Sequence, residues 1–281
     1  MKFQERVSNL LPLIDELDAL PGLELQDLFT FLILLLIASL RVGAFLIAAP
    51  FFGGRMVPLQ IRIVFSFCLG FWILGTVQFP DLNTLLGPKL ILVIMQELFI
   101  GLTVGLILTI CFAAVSMAGV IVATTCGLAF AATVDPNGGG QSPVISNMFM
   151  LFMIVIFFAV NGHLMVLGAL YKSFEFLPLG QFNSYGDFIS AGFSASDILF
   201  RWTAIIALPI VIVLLFVNIA NGIIAKSAPQ LNLFSFGFPM MMIGSFIILL
   251  YSVDAIAFVF KDLIQVMIDL VMSIIVDQTD G

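Results

Sequence analysis

Seven stretches of this chain are long, apolar and nearly free of charge: approximately 28–49, 61–79, 89–114, 115–134, 143–171, 198–225 and 237–276. The breaks between them are marked by Pro50 to Pro58, Pro80 to Pro88, a glycine-rich stretch around Gly138, Pro178 to Ser196, and Ala228 to Pro239. Each block is longer than a buried strand. In lipid a backbone must satisfy its own hydrogen bonds, which leaves helices and closed barrels. A barrel needs segments of ~10 residues with alternating polarity, and none are present. The pattern therefore predicts an all-α protein of long, broken helical hairpins, with Pro209 kinking the sixth helix by removing a backbone bond. Residues 1–27, with Lys2, Arg6 and then five acids, predict an amphipathic lead-in and not a cleaved leader.

Composition sharpens this picture. The chain has 281 residues, of which 62% are hydrophobic and only 10% charged, with a mean hydropathy of +1.21. A soluble domain carries roughly 25% charged residues. Apolar runs of ~18 or more read as membrane-type segments, so membrane lipid is an expected partner. A net charge of −7 lacks the basic face that nucleic acid requires, so none is expected. No polar block is large enough to fold separately, and the chain reads as one domain, 1–281. Lys and Arg are scattered over almost every junction instead of marking one side. Broken helices with so weak an orientation signal need not form a plain stack of spans, and suit packing against other subunits.

A few polar residues interrupt the blocks. Arg41 lies inside the first. Glu97, Gly101 and Gly105 follow at i, i+4 and i+8 on one helix face, and Gly101–Gly105 is a GxxxG pattern that lets two backbones approach. A carboxylate within an apolar helix needs a partner or water. Glu97 is read as pairing between helices or subunits, as lining a cavity, or as lying at a helix end. Asn218 and Asn221 pose the same choice. Expressed alone, the chain is expected to be poorly folded, because Glu97, Asn218 and the glycine faces would lack their partners. In the last block Asp254, Lys261, Asp262, Gln265, Asp269, Ser273 and Asp277 fall along one face, with Phe258 and Val266 expected on the apolar face. That stripe is either a solvated surface or the lining of an aqueous path.

Catalytic chemistry finds little footing. Cys68, Cys111 and Cys126 read as small buried hydrophobes, and no His/Cys cluster has metal-ligand spacing, so neither metal nor cofactor is expected. The single histidine, His163, could pair with Ser142 only if the two met in space. Ser142-Pro143 reads instead as a helix start, and His163 as bonding backbone near a helix end. No enzyme activity is expected.

The most unusual stretch is Cys126 to Asn147. One carboxylate, Asp135, and three consecutive glycines, Gly138, Gly139 and Gly140, separate two charge-free runs. It is either a passive turn or a loop that something must pass.

Several short motifs, in this order and spacing, resemble the FliR/SpaR family, the R component of the export gate of bacterial flagella and of virulence type III secretion systems. They are Arg41 with Pro50 and Pro58; Glu97 to Gly101 with Gly105; Ala118-Gly119; Gly127-Leu128-Ala129-Phe130 followed by Asp135-Pro136; Asn161-Gly162-His163-Leu164; Ser173-Phe174 with Pro178 and Gly180; and Ala228 to Asn232 ahead of Gly237-Phe238-Pro239. Thr125-Cys126 stands where many members have Gln-Met, and the triple glycine is not general.

The resemblance implies a chain like a P-type subunit (about 1–196) fused to a Q-type subunit (about 197–281). It implies assembly with several P-type and Q-type subunits and an associated B-type switch subunit into a closed gate for unfolded export substrates. The gate would sit at the bacterial inner membrane in the flagellar basal body, its core raised toward the periplasmic side. It further implies that Gly127 to Gln141 plugs the channel, with Leu128 and Phe130 filling a constriction and Asp135-Pro136 fixing the loop's exit. The alternatives are a proton- or ion-coupled secondary transporter, which would usually show two matching halves, and an assembly scaffold with no pore role.

Overall fold

The computed structural model describes residues 25–52, 57–77, 79–80, 88–127, 144–180, 186–227 and 237–276. These contain helices and turns but no strand. Seven helices follow in order: α1 (Leu25–Ala48), α2 (Leu59–Thr76), α3 (Pro88–Thr125), α4 (Val144–Ala159), α5 (Gly162–Phe176), α6 (Gly186–Ser227) and α7 (Phe238–Val276).

Three boundaries differ from the sequence-based expectation. The third and fourth blocks are one helix, α3, of 38 residues. Residues 112–118 are Phe-Ala-Ala-Val-Ser-Met-Ala, which hold no Pro or Gly to stop a helix, and having crossed a bilayer's thickness does not stop one either. The fifth block is two helices, α4 and α5, bent by 66°. The break is at Asn161, whose φ of 58° is the left-handed region that Asn tolerates better than most residues. Gly162 follows because a Cβ there would lie 2.5 Å from the Phe157 ring. Finally, α6 begins twelve residues early, because 186–197 is helical rather than loop. Ser194 and Ser196 donate their hydroxyls to carbonyls one turn back, and Ala191 and Ala195 bury the inner face. α6 also continues through Pro209 without interruption.

α3 is the axis of the molecule. In its most apolar window 56% of residues are buried, against 17–44% for the other four long apolar helices. It packs against α1, α4, α6 and α7, through Ile100, Val104, Leu108, Cys111, Val115 and Val122. Beyond the end of α1, Phe51 sits 6.0 Å from Phe112 and 5.1 Å from Phe157, ring centre to ring centre. These rings cover the α4–α5 bend.

Small residues set the helix spacings. α1 and α2 run antiparallel, with Gly70 against Ser39 and Gly43 against Ser66. α1 and α3 run parallel: a Cβ at Gly101 would fall on the Arg41 carbonyl oxygen, and one at Gly105 would lie 2.5 Å from Ala48 Cβ. Farther along, Gly119 lies against the Ser146 backbone of α4. The seam is therefore intolerant of one methyl group. Gly101→Ala should destabilise the chain by ~1–3 kcal/mol through overpacking. Gly75→Ala, with nothing within 4 Å of its Cβ, should be neutral or stabilising by ~0.5–1 kcal/mol. Thermal unfolding of the two variants in the same detergent checks the contrast.

Candidate functional site

Glu97 and Arg41 meet. Arg41 Nε donates to Glu97 Oε2 at 2.7 Å and Nη2 to Oε1 at 2.8 Å, and both side chains are completely buried. The two-pronged geometry matches the planar guanidinium to the carboxylate. Arg41 also reaches α5 and the turn after it: Nη1 donates to Ser173 Oγ at 3.0 Å and Nη2 to the Leu177 carbonyl at 2.9 Å. Ser173 Oγ in turn donates a hydrogen bond to the Leu170 carbonyl at 2.6 Å. The guanidinium carbon stands 4.0 Å over the centre of the Phe174 ring, a favourable placement for a cation. Charges in an apolar interior survive only if paired and hydrogen-bonded, and this pair is both.

The stripe that begins at Glu97 continues as a seam. Gly101 and Gly105 lie against α1, and four residues later Thr109 Oγ1 donates to the Ala48 carbonyl at 2.5 Å. Glu97, Gly101 and Gly105 thus have partners within the chain. The expectation that they would lack them in the isolated protein is corrected. Asn218 and Asn221 lie on the distal half of α6, outside this seam. Asn218 is half-buried. Asn221 is buried, and its Nδ2 has no hydrogen-bond partner among the described residues, as is also true of Gln96 Nε2 beside Glu97.

Of the proposed loop, only Gly127 is described. Its φ of 79° ends α3 in a conformation that glycine adopts freely. Leu128, Phe130, Asp135, Pro136, Gly138, Gly139 and Gly140 lie outside the described residues, as do Ser142, Asp277 and residues 1–24. The roots of the loop are described. On the departing side the backbone N–H of Cys126 donates to the Val122 carbonyl and that of Gly127 to the Thr124 carbonyl, both at 3.0 Å. On the returning side Ser146 Oγ lies 2.9 Å from both the Ser116 hydroxyl and the Ser116 carbonyl of α3.

Other sequence expectations need correction. Cys111 and Cys126 are buried, but Cys68 is exposed on the outer face of α2. His163 Nδ1 bonds no backbone. It has no partner among the described residues, and its ring packs 4.8 Å from that of Phe158. On α7, Asp254, Lys261, Asp262, Gln265 and Asp269 are exposed on one face, and Gln265 donates to Asp269 at 2.9 Å. Phe258, expected on the opposite face, shares that exposed one, because it lies four residues from both Asp254 and Asp262. Val266 is half-buried. The residue that sequence reasoning left out of the site is Arg41. Its signal was a lone cation in one apolar block and a lone carboxylate in another.

Five helices that are long and apolar enough to cross a membrane, a sixth broken one, and a fully buried ion pair between the first and third helices define an all-α, multi-pass, membrane-type protein. A family model described as "Bacterial export proteins, family 1" matches residues 32–267, and the chain belongs to that family. It is 32% identical to the flagellar biosynthetic protein FliR of Bacillus subtilis over 89% of this chain and 96% of the relative. It is 31% identical to that of Aquifex aeolicus over 80% and 87%, and 31% identical to that of Escherichia coli over 72% and 77%. Membership sets aside the secondary-transporter alternative.

A buried pair that loses one partner leaves a bare charge, at a cost of ~3–5 kcal/mol, whereas replacing both partners by apolar residues of similar volume is often neutral. Arg41→Met and Glu97→Gln should each sharply reduce the folded protein recovered from membranes. Arg41→Met combined with Glu97→Met should recover most of it. Equal losses in singles and double would show that the pair itself is not what the helices need.

Proposed function

We propose that this chain is the R-type component of the flagellar protein export gate, a structural and not a catalytic part of the channel through which unfolded substrates cross the inner membrane. The match over residues 32–267, with relatives named flagellar biosynthetic proteins, carries this reading. On it, P-type, Q-type and B-type subunits are the partners. The P-like part ends near residue 196, within α6, and the Q-like part follows.

Geometry supports an assembly. The apolar lengths of α3, α6 and α7 are 37, 39 and 37 residues, or about 55–58 Å at 1.5 Å per residue. A hydrocarbon core is ~30 Å thick. Large apolar side chains such as Phe216, Ile223, Leu250 and Tyr251 remain 63–86% exposed along α6 and α7. Apolar surface far longer than a bilayer is surface for other subunits to cover. On the same reading the core is raised out of the bilayer, toward the periplasmic side, where protein takes the place of lipid around the helices.

In this reading Gly127 to Gln141 closes the resting channel. A single loop can bury little apolar area beside that between whole helices, at roughly 25 cal/mol per Å², so on this reading gate and fold are separable. The test is complementation of a strain lacking its own R subunit. The intact chain should restore swimming and flagellin export, and failure to do so with a normal amount of assembled complex would overturn the reading. Deleting Gly138–Gly140 together with Phe130→Ala should leave assembly intact but depolarise the membrane and slow growth. Normal assembly with no leak and normal export would reduce the loop to a turn.

A further inference from the structure

We propose that the groove between α2 and α5 seats an apolar helix of a neighbouring export-gate subunit, an inference that rests on the export-gate reading above. The groove has a volume of about 310 Å³ and is lined by Leu69, Trp72, Ile73, Leu164, Gly168 and Tyr171. Trp72 and Tyr171 form one wall, their rings 5.0 Å apart, and Trp72 is 54% exposed. Nothing lies within 4 Å of where a Gly168 Cβ would stand, so the floor is open to a side chain from outside.

The level of the groove decides what fills it. The contacts Ser39–Gly70 and Gly43–Ser66 set Arg41 opposite the middle of α2. The hydrogen bond from Arg41 to Ser173 brings α5 to that same level. Lys172 and Glu175, exposed on α5, flank Ser173 and make no ion pair among the described residues. α2 has 18 residues, about 27 Å, which is roughly one hydrocarbon thickness. Were α2 and α5 facing lipid as ordinary spans, both charges would lie near the middle of the hydrocarbon, where charges are costly. Lipid is the wrong occupant for that rim. Water is the wrong occupant for the groove, since Phe71 and Trp72 would stand bare beside it.

A protein helix meets both demands. It would carry an apolar ridge for the groove, with one acid and one base about a turn apart for Lys172 and Glu175. Glu175 lies four residues beyond Tyr171 on the groove's own face, so the charged rim and aromatic wall are read by one partner. Trp and Tyr are also the residue types that concentrate interface energy in a few well-packed positions.

The test uses the full complex purified through its partner subunits, with a photoreactive phenylalanine analogue in place of Gly168. The expected product is a cross-link to an apolar helical peptide of another export-gate subunit. Cross-links only to lipid, only to a second copy of this chain, or to nothing would overturn the inference while leaving the export-gate reading standing. A chain that brings down no export subunit at all takes both down. In parallel, Trp72→Ala should reduce assembled complex about tenfold or more, with the helical circular dichroism of the purified chain unchanged. Wild-type assembly of Trp72→Ala would count against the groove.

Discussion

The ion pair between Arg41 and Glu97 is the constraint around which the rest is arranged. Each ion taken out of water loses several kcal/mol of hydration. Neither side chain retains any exposure, and the compensation is four hydrogen bonds and an aromatic face. Its value lies less in net stability than in register. With Glu97 on Arg41, every fourth residue of α3 meets α1: Gly101 at the Arg41 carbonyl, Gly105 at Ala48, Thr109 at the Ala48 carbonyl. A slip of one residue would turn this stripe by about 100° and press larger side chains against the α1 backbone. An apolar seam alone would not discriminate so sharply, because leucine packs against leucine at many offsets.

The same pair draws in α5. Ser173 and the Leu177 carbonyl are held by Arg41, although α5 reaches that point only after a 66° bend from α4. The bend is built locally, from the left-handed Asn161 and from Gly162 against Phe157. Its direction is confirmed at the far end, by the guanidinium. Local backbone preference and a long-range polar contact therefore specify one geometry, the agreement between levels that gives a chain a single native state.

Much of this was legible in the sequence. Helix type followed from block length, the Gly101–Gly105 face from its spacing, and the family from the order of short motifs. Boundaries were harder for a physical reason. In a chain this apolar, periodicity has no polar phase to follow, so the division of α3 at residues 114 and 115 had no residue behind it. The early start of α6 was hidden by its serines, which read as loop but close on carbonyls one turn back. The partnership of Arg41 and Glu97 was the largest omission, since each was noticed as an isolated charge and sequence separation concealed the meeting. Phe258 was misplaced by simple phase, being one turn from Asp254.

On the proposed gate reading, register and passage place opposite demands on the chain and fall on different segments. The seam of α1 and α3 tolerates no added methyl group at Gly101 or Gly105. The connection that starts at Gly127 leaves from roots fixed independently of it, by the backbone hydrogen bonds of Cys126 and Gly127 to the last turn of α3 and by Ser146 on Ser116. For a connection between fixed ends, doubling the length adds only about 0.6 kcal/mol of closure entropy. Three consecutive glycines at 138–140 therefore add little closure cost, and on the proposed gate reading they change what that segment presents to anything passing it. A segment with the proposed gate role can vary in this way only if its anchorage does not. The buried pair supplies that anchorage by holding α3, from whose end the segment departs, in fixed register with α1 and α5.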